Sequence, residues 1–344
     1  MSDLDKSLWG GGDDLEEISS GERWYNHVKC PDSKTAISGQ SVGLVGFRCD
    51  EGVRRNNGRP GAADGPVVFR QQLANVAWQA GDLSVVDFGD ICAADEELAL
   101  SQEKLALQIA KILPKVDRLL VVGGGHETAV GSFRGLQTVL GEKATIGIVN
   151  LDAHFDLRRP SQRGASSGTP FFQIQNLVGA KNFHYFCMGI ATESNTRSLF
   201  NRADKWGVRY YLDTELASID PARVKADLQA FVEPLDALYL TIDMDVLPHY
   251  QAPGVSAPAV RGVSLSVIEM IIDQVVGVAH KCNFGLPLVE IVELNPCFDQ
   301  HGISARTAAV LADRMLKSSK CSTGLKRPTI YNSNQGNRKY EKNI

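Results

Sequence analysis

Eight short apolar, β-branched runs recur along the chain, and segments of helical periodicity fill most of the gaps between them. The runs are Ser41–Phe47, Leu83–Phe88, Arg118–Val122, Thr145–Leu151, His184–Gly189, Val208–Leu212, Ala237–Asp243 and Leu288–Leu294. Between them, Glu96–Val116 carries Leu98, Leu105, Ile109 and Ile112 at helical steps, after an Asp95 cap and early acids. Asp220-Pro221 reads as an N-cap followed by proline at the first helical position, and Ser264–His280 and Ile303–Lys317 read as further helices. Such alternation predicts a parallel sheet with helices on both faces, because a crossover helix must cover each face it passes. No Pro/Gly/Ser linker divides the chain and no solenoid repeat is present, so the expectation is one α/β/α domain over residues 37–319. Residues 1–36 read as a polar, glycine-spotted extension, docked in part through Trp9, Trp24 and Tyr25. Residues 320–344, with six Lys/Arg against one acid, read as a basic solvated tail.

Composition narrows the partners. With 344 residues, 43% hydrophobic and 22% charged, the chain has material for a sizeable core, which excludes wholesale disorder. A net charge of −4 supplies no basic stripe for nucleic acid. No apolar run reaches the roughly 18–20 residues of a membrane span. The acidic start, MSDLDKSLWGGGDDLEE, lacks an apolar leader core, so a cytoplasmic location is expected. The seven cysteines are spread singly without a C-x-x-C, which fits buried free thiols better than a zinc ribbon or a redox pair.

In parallel sheets of this kind the chemistry lies beyond the carboxyl ends of the strands. Three strand ends carry it. Arg118–Val122 runs into Gly123-Gly124-Gly125-His126-Glu127, Thr145–Leu151 into Asp152-Ala153-His154-Phe155-Asp156, and Ala237–Ile242 into Asp243-Met244-Asp245. Residues at i, i+2 and i+4 of extended chain share a side, so Asp152, His154 and Asp156 converge, as do Asp243 and Asp245. Four carboxylates at partly buried strand ends repel one another and require counter-charge, and two divalent cations balance four Asp. A set of two His and four carboxylates suits Mn2+ better than thiolate-seeking Zn2+, while Mg2+ generally avoids His. Two such ions about 3.5–4 Å apart form a hydrolytic arrangement.

These motifs, with Glu293-Leu294-Asn295-Pro296 and the stretch Asn57 to Pro66, resemble the ureohydrolases (arginase, agmatinase, formiminoglutamase) over roughly residues 40–318. The resemblance implies a three-layer α/β/α fold with an eight-stranded parallel sheet, two Mn2+ per subunit, and a homo-oligomer, trimeric or hexameric. It implies that His126 and Asp156 bind one manganese, His154 and Asp245 the other, and that Asp152 and Asp243 bridge. Arginases and agmatinases usually have Gly-Gly-Asp-His-Ser where this chain has Gly125 and Glu127. They also carry a His where Ser167 stands in the loop Ser166-Ser167-Gly168-Thr169-Pro170-Phe171. Both departures look like formiminoglutamase.

On that reading the substrate is N-formimino-L-glutamate, met in histidine degradation, and the products are glutamate and formamide. Asp156 would take the proton of the attacking hydroxide and pass it to the leaving nitrogen, and Glu293 would hold the formimino group by a charge-assisted bond. The basic loop holding Arg158 and Arg163, together with Arg59 and Ser167, supplies candidate substrate contacts, with Arg158 first among the carboxylate ligands. A ureohydrolase on a guanidino acid such as guanidinobutyrate is the alternative substrate reading, with arginase or agmatinase behind it. A non-catalytic metal- or ligand-binding member of the fold is the other alternative. Competing motifs fail on context. Gly164-Ala165-Ser166-Ser167-Gly168 matches G-x-S-x-G, yet polar Arg158–Arg163 precedes it where a strand is required. Gly123-x-Gly125 has no third glycine at 128, and His126-Glu127 lacks the second His of H-E-x-x-H. The remaining histidines, His27, His184, His249, His280 and His301, read as packed or exposed.

Overall fold

The computed structural model describes residues 6–11, 21–31, 40–93 and 97–317. Asp95, the basic tail and much of the N-terminal extension lie outside the described residues. The strands are β1 (Val28–Lys29), β2 (Ser41–Arg48), β3 (Ser84–Cys92), β4 (Arg118–Val122) and β5 (Ile146–Leu151), then β6 (His184–Ile190), β7 (Arg209–Leu212), β8 (Ala237–Asp243) and β9 (Leu288–Val292). They form one sheet in the order β1-β3-β2-β4-β9-β8-β5-β6-β7, and every pairing is parallel. The sheet therefore has nine strands where eight are predicted. The extra one, β1, contributes only two residues, pairing Val28 with Val85 and Lys29 with Val86 at the sheet edge. Two residues leave no apolar run in the sequence, and the pairing comes from docking against β3.

The central strands β4, β5, β8 and β9 are buried along their whole length, which is why their sequences are continuous apolar runs. Two large apolar clusters lie on the two faces. Helices Gly65–Ala74, Pro221–Val232, Leu265–Val278 and Ile303–Lys317 put Phe69, Leu228, Ile272 and Ala308 into one. Helices Leu98–Ile112, Thr128–Leu140, Pro170–Val178 and Arg197–Lys205 put Leu105, Phe133, Phe171 and Leu199 into the other. The Asp220 carboxylate accepts the Ala222 N–H at 2.8 Å and caps the helix that Pro221 opens. Near the N-terminus, Trp24 is fully buried and its indole donates to Asp313 Oδ1 at 3.0 Å, while the Trp9 indole donates to Asp87 Oδ2 at 2.8 Å. Among the described residues no helix is long and apolar enough to cross a membrane.

Strands β4 and β5 are consecutive in sequence but stand apart in the sheet, with β9 and β8 between them. The carboxyl ends of these four neighbours open a crevice where the strand order breaks, the position at which such sheets bind ligands.

Candidate metal centre

After Val122 the chain passes through three glycines. A Cβ on Gly124 would lie 1.5 Å from the Cys49 carbonyl oxygen, so only glycine lets the two backbones cross here. The Gly125 N–H donates to that carbonyl at 3.0 Å. This crossing delivers His126 to the end of β4 with its ring fully buried.

The imidazole is oriented from behind. Its Nε2 lies 3.1 Å from the Thr241 hydroxyl oxygen, and that hydroxyl donates onward to Glu290 Oε1 at 3.0 Å. Because Thr241 spends its proton on Glu290, it accepts from Nε2–H, which leaves Nδ1 with a lone pair. Glu290 is fixed in turn by the Tyr239 hydroxyl at 2.6 Å and by Ser132. Nδ1 faces three carboxylate oxygens: Asp152 Oδ2 and Asp156 Oδ2 at 3.1 Å and Asp243 Oδ2 at 3.3 Å. None of the three is aligned for a hydrogen bond, and Nδ1 is a buried polar atom without such a partner. One lone pair and three carboxylate oxygens at nearly equal spacing form a shell that suits a cation at its centre.

A second group adjoins the first. His154 Nδ1 lies 3.0 Å from Asp245 Oδ2 and 3.6 Å from Asp152 Oδ1. Thus His126, Asp152, Asp156 and Asp243 offer one set of ligand atoms, and Asp152, His154 and Asp245 another. Asp152 belongs to both sets, whereas Asp243 stands in the first alone, its Oδ1 accepting the Asp245 N–H at 2.8 Å. All six side chains named from the strand-end motifs are therefore brought together.

The loop that carries three of them is held tightly. Asp156 adopts a left-handed backbone at φ +49, which a non-glycine residue takes only when its surroundings impose it. The Asn195 amide donates to the Ala153 carbonyl at 2.8 Å and accepts the Phe155 N–H at 3.0 Å, so it grips the chain on both sides of His154. Asn150 Nδ2 donates to Asp152 Oδ2 at 2.9 Å, and the Tyr185 hydroxyl donates to the Phe155 carbonyl at 3.1 Å.

Electrostatics marks the cluster as cation-seeking. Burial, then the charge of Asp152, pushes Asp156 up to about 6. Burial together with Asp245 and Asp152 pushes Asp243 well above the usual carboxylate range, and burial raises Asp245. Burial opposes the charge of Asp152 as well, yet the adjoining His126 and His154 rings hold it low. Burial disfavours the two imidazolium forms, but the surrounding carboxylates raise both rings well above their ordinary value. The group thus competes for protons or for metal ions.

Glu293 lies at the end of β9, buried, with φ +63. Its Oε1 accepts the His126 N–H at 3.0 Å, while Oε2 has no hydrogen-bond partner. Burial and the charge of Glu127 raise its carboxyl well above the usual range.

The loop that follows Asp156 lines a cavity of about 490 Å³, formed by Arg55, Asn56, Asn57, Arg158, Arg159 and Arg163, with Ser166 among the remaining residues. Arg158 and Arg163 thus share one cavity. Arg59 and Ser167 do not join them. The Arg59 guanidinium donates to the Ser256 and Val255 carbonyls at 2.9 and 2.5 Å and stacks 4.0 Å from the Phe298 ring, so its donors are directed at backbone. Ser167 is buried, and its neighbour Ser166 faces the cavity instead.

Several functional neighbours escaped the sequence reading. Arg55, from the helix Glu51–Arg55, also lines the cavity. Glu127 is fully buried; its Oε1 accepts the Gly52 N–H at 2.8 Å and the Cys49 thiol at 3.6 Å. Glycines at 52 and 125 leave room for it, since a Cβ at either would meet its carboxyl within 2.4 Å. Burial pushes Glu127 up to about 7.

Known proteins share this architecture. Residues 40–317 match the model of the Arginase family. Formimidoylglutamases from Aeromonas hydrophila and Aeromonas salmonicida are 44% and 45% identical to the chain; the first alignment covers 91% of this chain and 98% of the relative. The crystal structure of formimidoylglutamase from Bacillus subtilis superposes with a TM-score of 0.78 at 20% identity, covering 90% of this chain and 94% of that one. A variant of Trypanosoma cruzi formiminoglutamase, solved with Mn2+, superposes with a TM-score of 0.70 at 25% identity, covering 80% and 92%. Fold, strand-end ligands and relatives agree: the chain belongs to the arginase family, and it is a hydrolase of carbon–nitrogen bonds.

Proposed function

We propose that the protein hydrolyses N-formimino-L-glutamate to L-glutamate and formamide in histidine degradation, using two Mn2+. The observation that carries this reading is an Asp/His cluster, fit for two cations, whose Asp152–Asp156 segment continues directly into the arginines of a cavity. The relatives at 44% and 45% identity carry the name of that activity. His126, Asp152, Asp156 and Asp243 would hold one ion, and Asp152, His154 and Asp245 the other. Oxygen and imidazole donors of this kind suit Mn2+. The ions, when bound, lower the pKa of water toward about 7 and so supply a nucleophile at neutral pH.

The chain's own residues divide the remaining work. Glu293 directs its unpartnered Oε2 at the formimino =NH2+ group and pairs with it by a charge-assisted bond. Water adds to the formimino carbon. Asp156 takes the proton of the attacking water. It then delivers that proton to the glutamate nitrogen as the C–N bond breaks, and formamide departs. Arg158 and Arg163 bind substrate carboxylates. The Arg59 guanidinium donates to the Val255 and Ser256 carbonyls and stacks on Phe298, so the reading gives the carboxylates to Arg158 and Arg163 first. The test is product analysis of Mn2+-loaded enzyme with N-formimino-L-glutamate, 4-guanidinobutyrate and L-arginine. Formamide from the first without urea from the others supports the reading. Urea from either guanidino compound, with no formamide, overturns it.

A further inference from the structure

The arginine-lined cavity has two walls from distant parts of the sequence. Asn56 and Asn57, with Arg55, come from the end of the short helix Glu51–Arg55. Arg158, Arg159 and Arg163 come from the loop that follows the metal cluster. The walls are tied together: Arg163 Nη1 donates to Asn57 Oδ1 at 2.6 Å, and the Ser166 hydroxyl donates to Asn56 Oδ1 at 3.4 Å. Gly164, at φ +86, bends the loop back toward the helix, and a Cβ there would lie 3.3 Å from Arg55 Nη1. Arg55 therefore reaches across to the second wall.

Its direction is set. Glu51 accepts from Arg55 Nε at 2.8 Å, one helical turn away, and also from Arg54. A guanidinium tethered through Nε presents its Nη edge elsewhere, here toward the loop. Glu51 lines the adjoining groove with Arg54, Arg55 and Arg163 rather than the cavity. Among the described residues no acid lines the cavity, whereas four arginines do. Packing like charges in one concave site costs energy unless opposite charge offsets it; Glu51 offsets Arg55 in part, and a ligand with two carboxylates offsets more of the remainder than one carboxylate does.

We propose that Arg55 is a specificity-determining residue that pairs with one substrate carboxylate while Arg158 takes the other, so that the enzyme selects doubly anionic amidines. Arg158 stands two residues beyond Asp156 and serves the carboxylate on its own wall. Arg55 serves the second carboxylate from the facing wall. Glu51 is its positioning residue. The proposal rests on the formiminoglutamate reading.

The test compares kcat/KM of Mn2+-loaded wild type, Arg55→Met and Arg55→Lys on two substrates. One is N-formimino-L-glutamate; the other is 4-(formimidoylamino)butanoate, the same amidine with a single carboxylate. Wild type is expected to favour the dianion by about 100-fold, as a charge-assisted pair implies. Arg55→Met is expected to lose at least about tenfold more on the dianion than on the monoanion, chiefly in KM, with bound metal unchanged. Arg55→Lys should recover part of the discrimination, because it restores charge but not the fork. Equal losses on both substrates, or an unchanged ratio, overturn the proposal while leaving the substrate reading standing. A wild type that releases no formamide from N-formimino-L-glutamate overturns that reading and the proposal with it. Should Arg55→Met fail to fold, Arg55→Lys and Arg55→Gln carry the same comparison.

Discussion

Glu290 stands behind the cluster rather than in it, yet it decides which nitrogen of His126 faces the carboxylates. The chain Glu290–Thr241–His126 is a carboxylate–histidine orienting device extended by one hydroxyl. Thr241→Val removes the acceptor that fixes Nε2–H. It should weaken metal binding about 10- to 100-fold, measured by metal titration of stripped protein, while Thr241→Ser stays near wild type. Equal affinity in Thr241→Val would remove the device from the account. Asp243→Ala should abolish turnover and lose at least one metal by elemental analysis. Full activity with a complete metal complement would take Asp243 out of the ligand set. The ligands were legible because Asp152, His154 and Asp156 sit in one extended run, where alternation alone places them on a side. Their supports were not legible in the same way. Thr241 and Glu290 lie inside apolar strands, where no motif marks them, although a Glu within Leu288–Val292 is itself an unpaired-charge signal.

At the scale of elements, the site exists because loops cross at contact distance. Gly124→Ala would put a methyl carbon into the Cys49 carbonyl, and it should cost about 2 kcal/mol or more and lower the melting temperature. Gly277→Ala offers the contrast. It lies in helix Leu265–Val278 with nothing within 4 Å of its Cβ position, and it should be neutral or stabilise by up to about 1 kcal/mol. Calorimetry of the two variants checks both, and similar melting shifts would contradict the crossing argument. Eight strands were readable from apolar runs, but β1 was not, because two residues carry no period. The direction of the Arg59 guanidinium, toward the Val255 and Ser256 carbonyls, was not readable either. Sequence order shows that an arginine is near the site, not which way it turns. The Glu51–Arg55 spacing of one helical turn was the available clue.

At the scale of the whole molecule, the metal cluster is a burden on the fold unless cations neutralise it. Asp156 titrates at about 6 in the folded chain, above the ordinary carboxylate near 4, and the two imidazoles are raised as well. The native state then binds more protons than the unfolded chain, so stability without metal falls as pH rises through this range. Metal ions compete for the same groups. The gain in melting temperature on adding Mn2+ should therefore be larger at about pH 8 than at about pH 5. An equal gain at both would show that these carboxylates are not the linked groups. On the proposed reading, two cations held by this cluster make the hydrolase. Its most direct test is to strip the protein of metal, add back Mn2+ in steps, and follow formamide release from N-formimino-L-glutamate. No release is expected in chelator, and activity should reach a plateau at two ions per chain. Full activity in chelator, or a plateau at one ion, would contradict it.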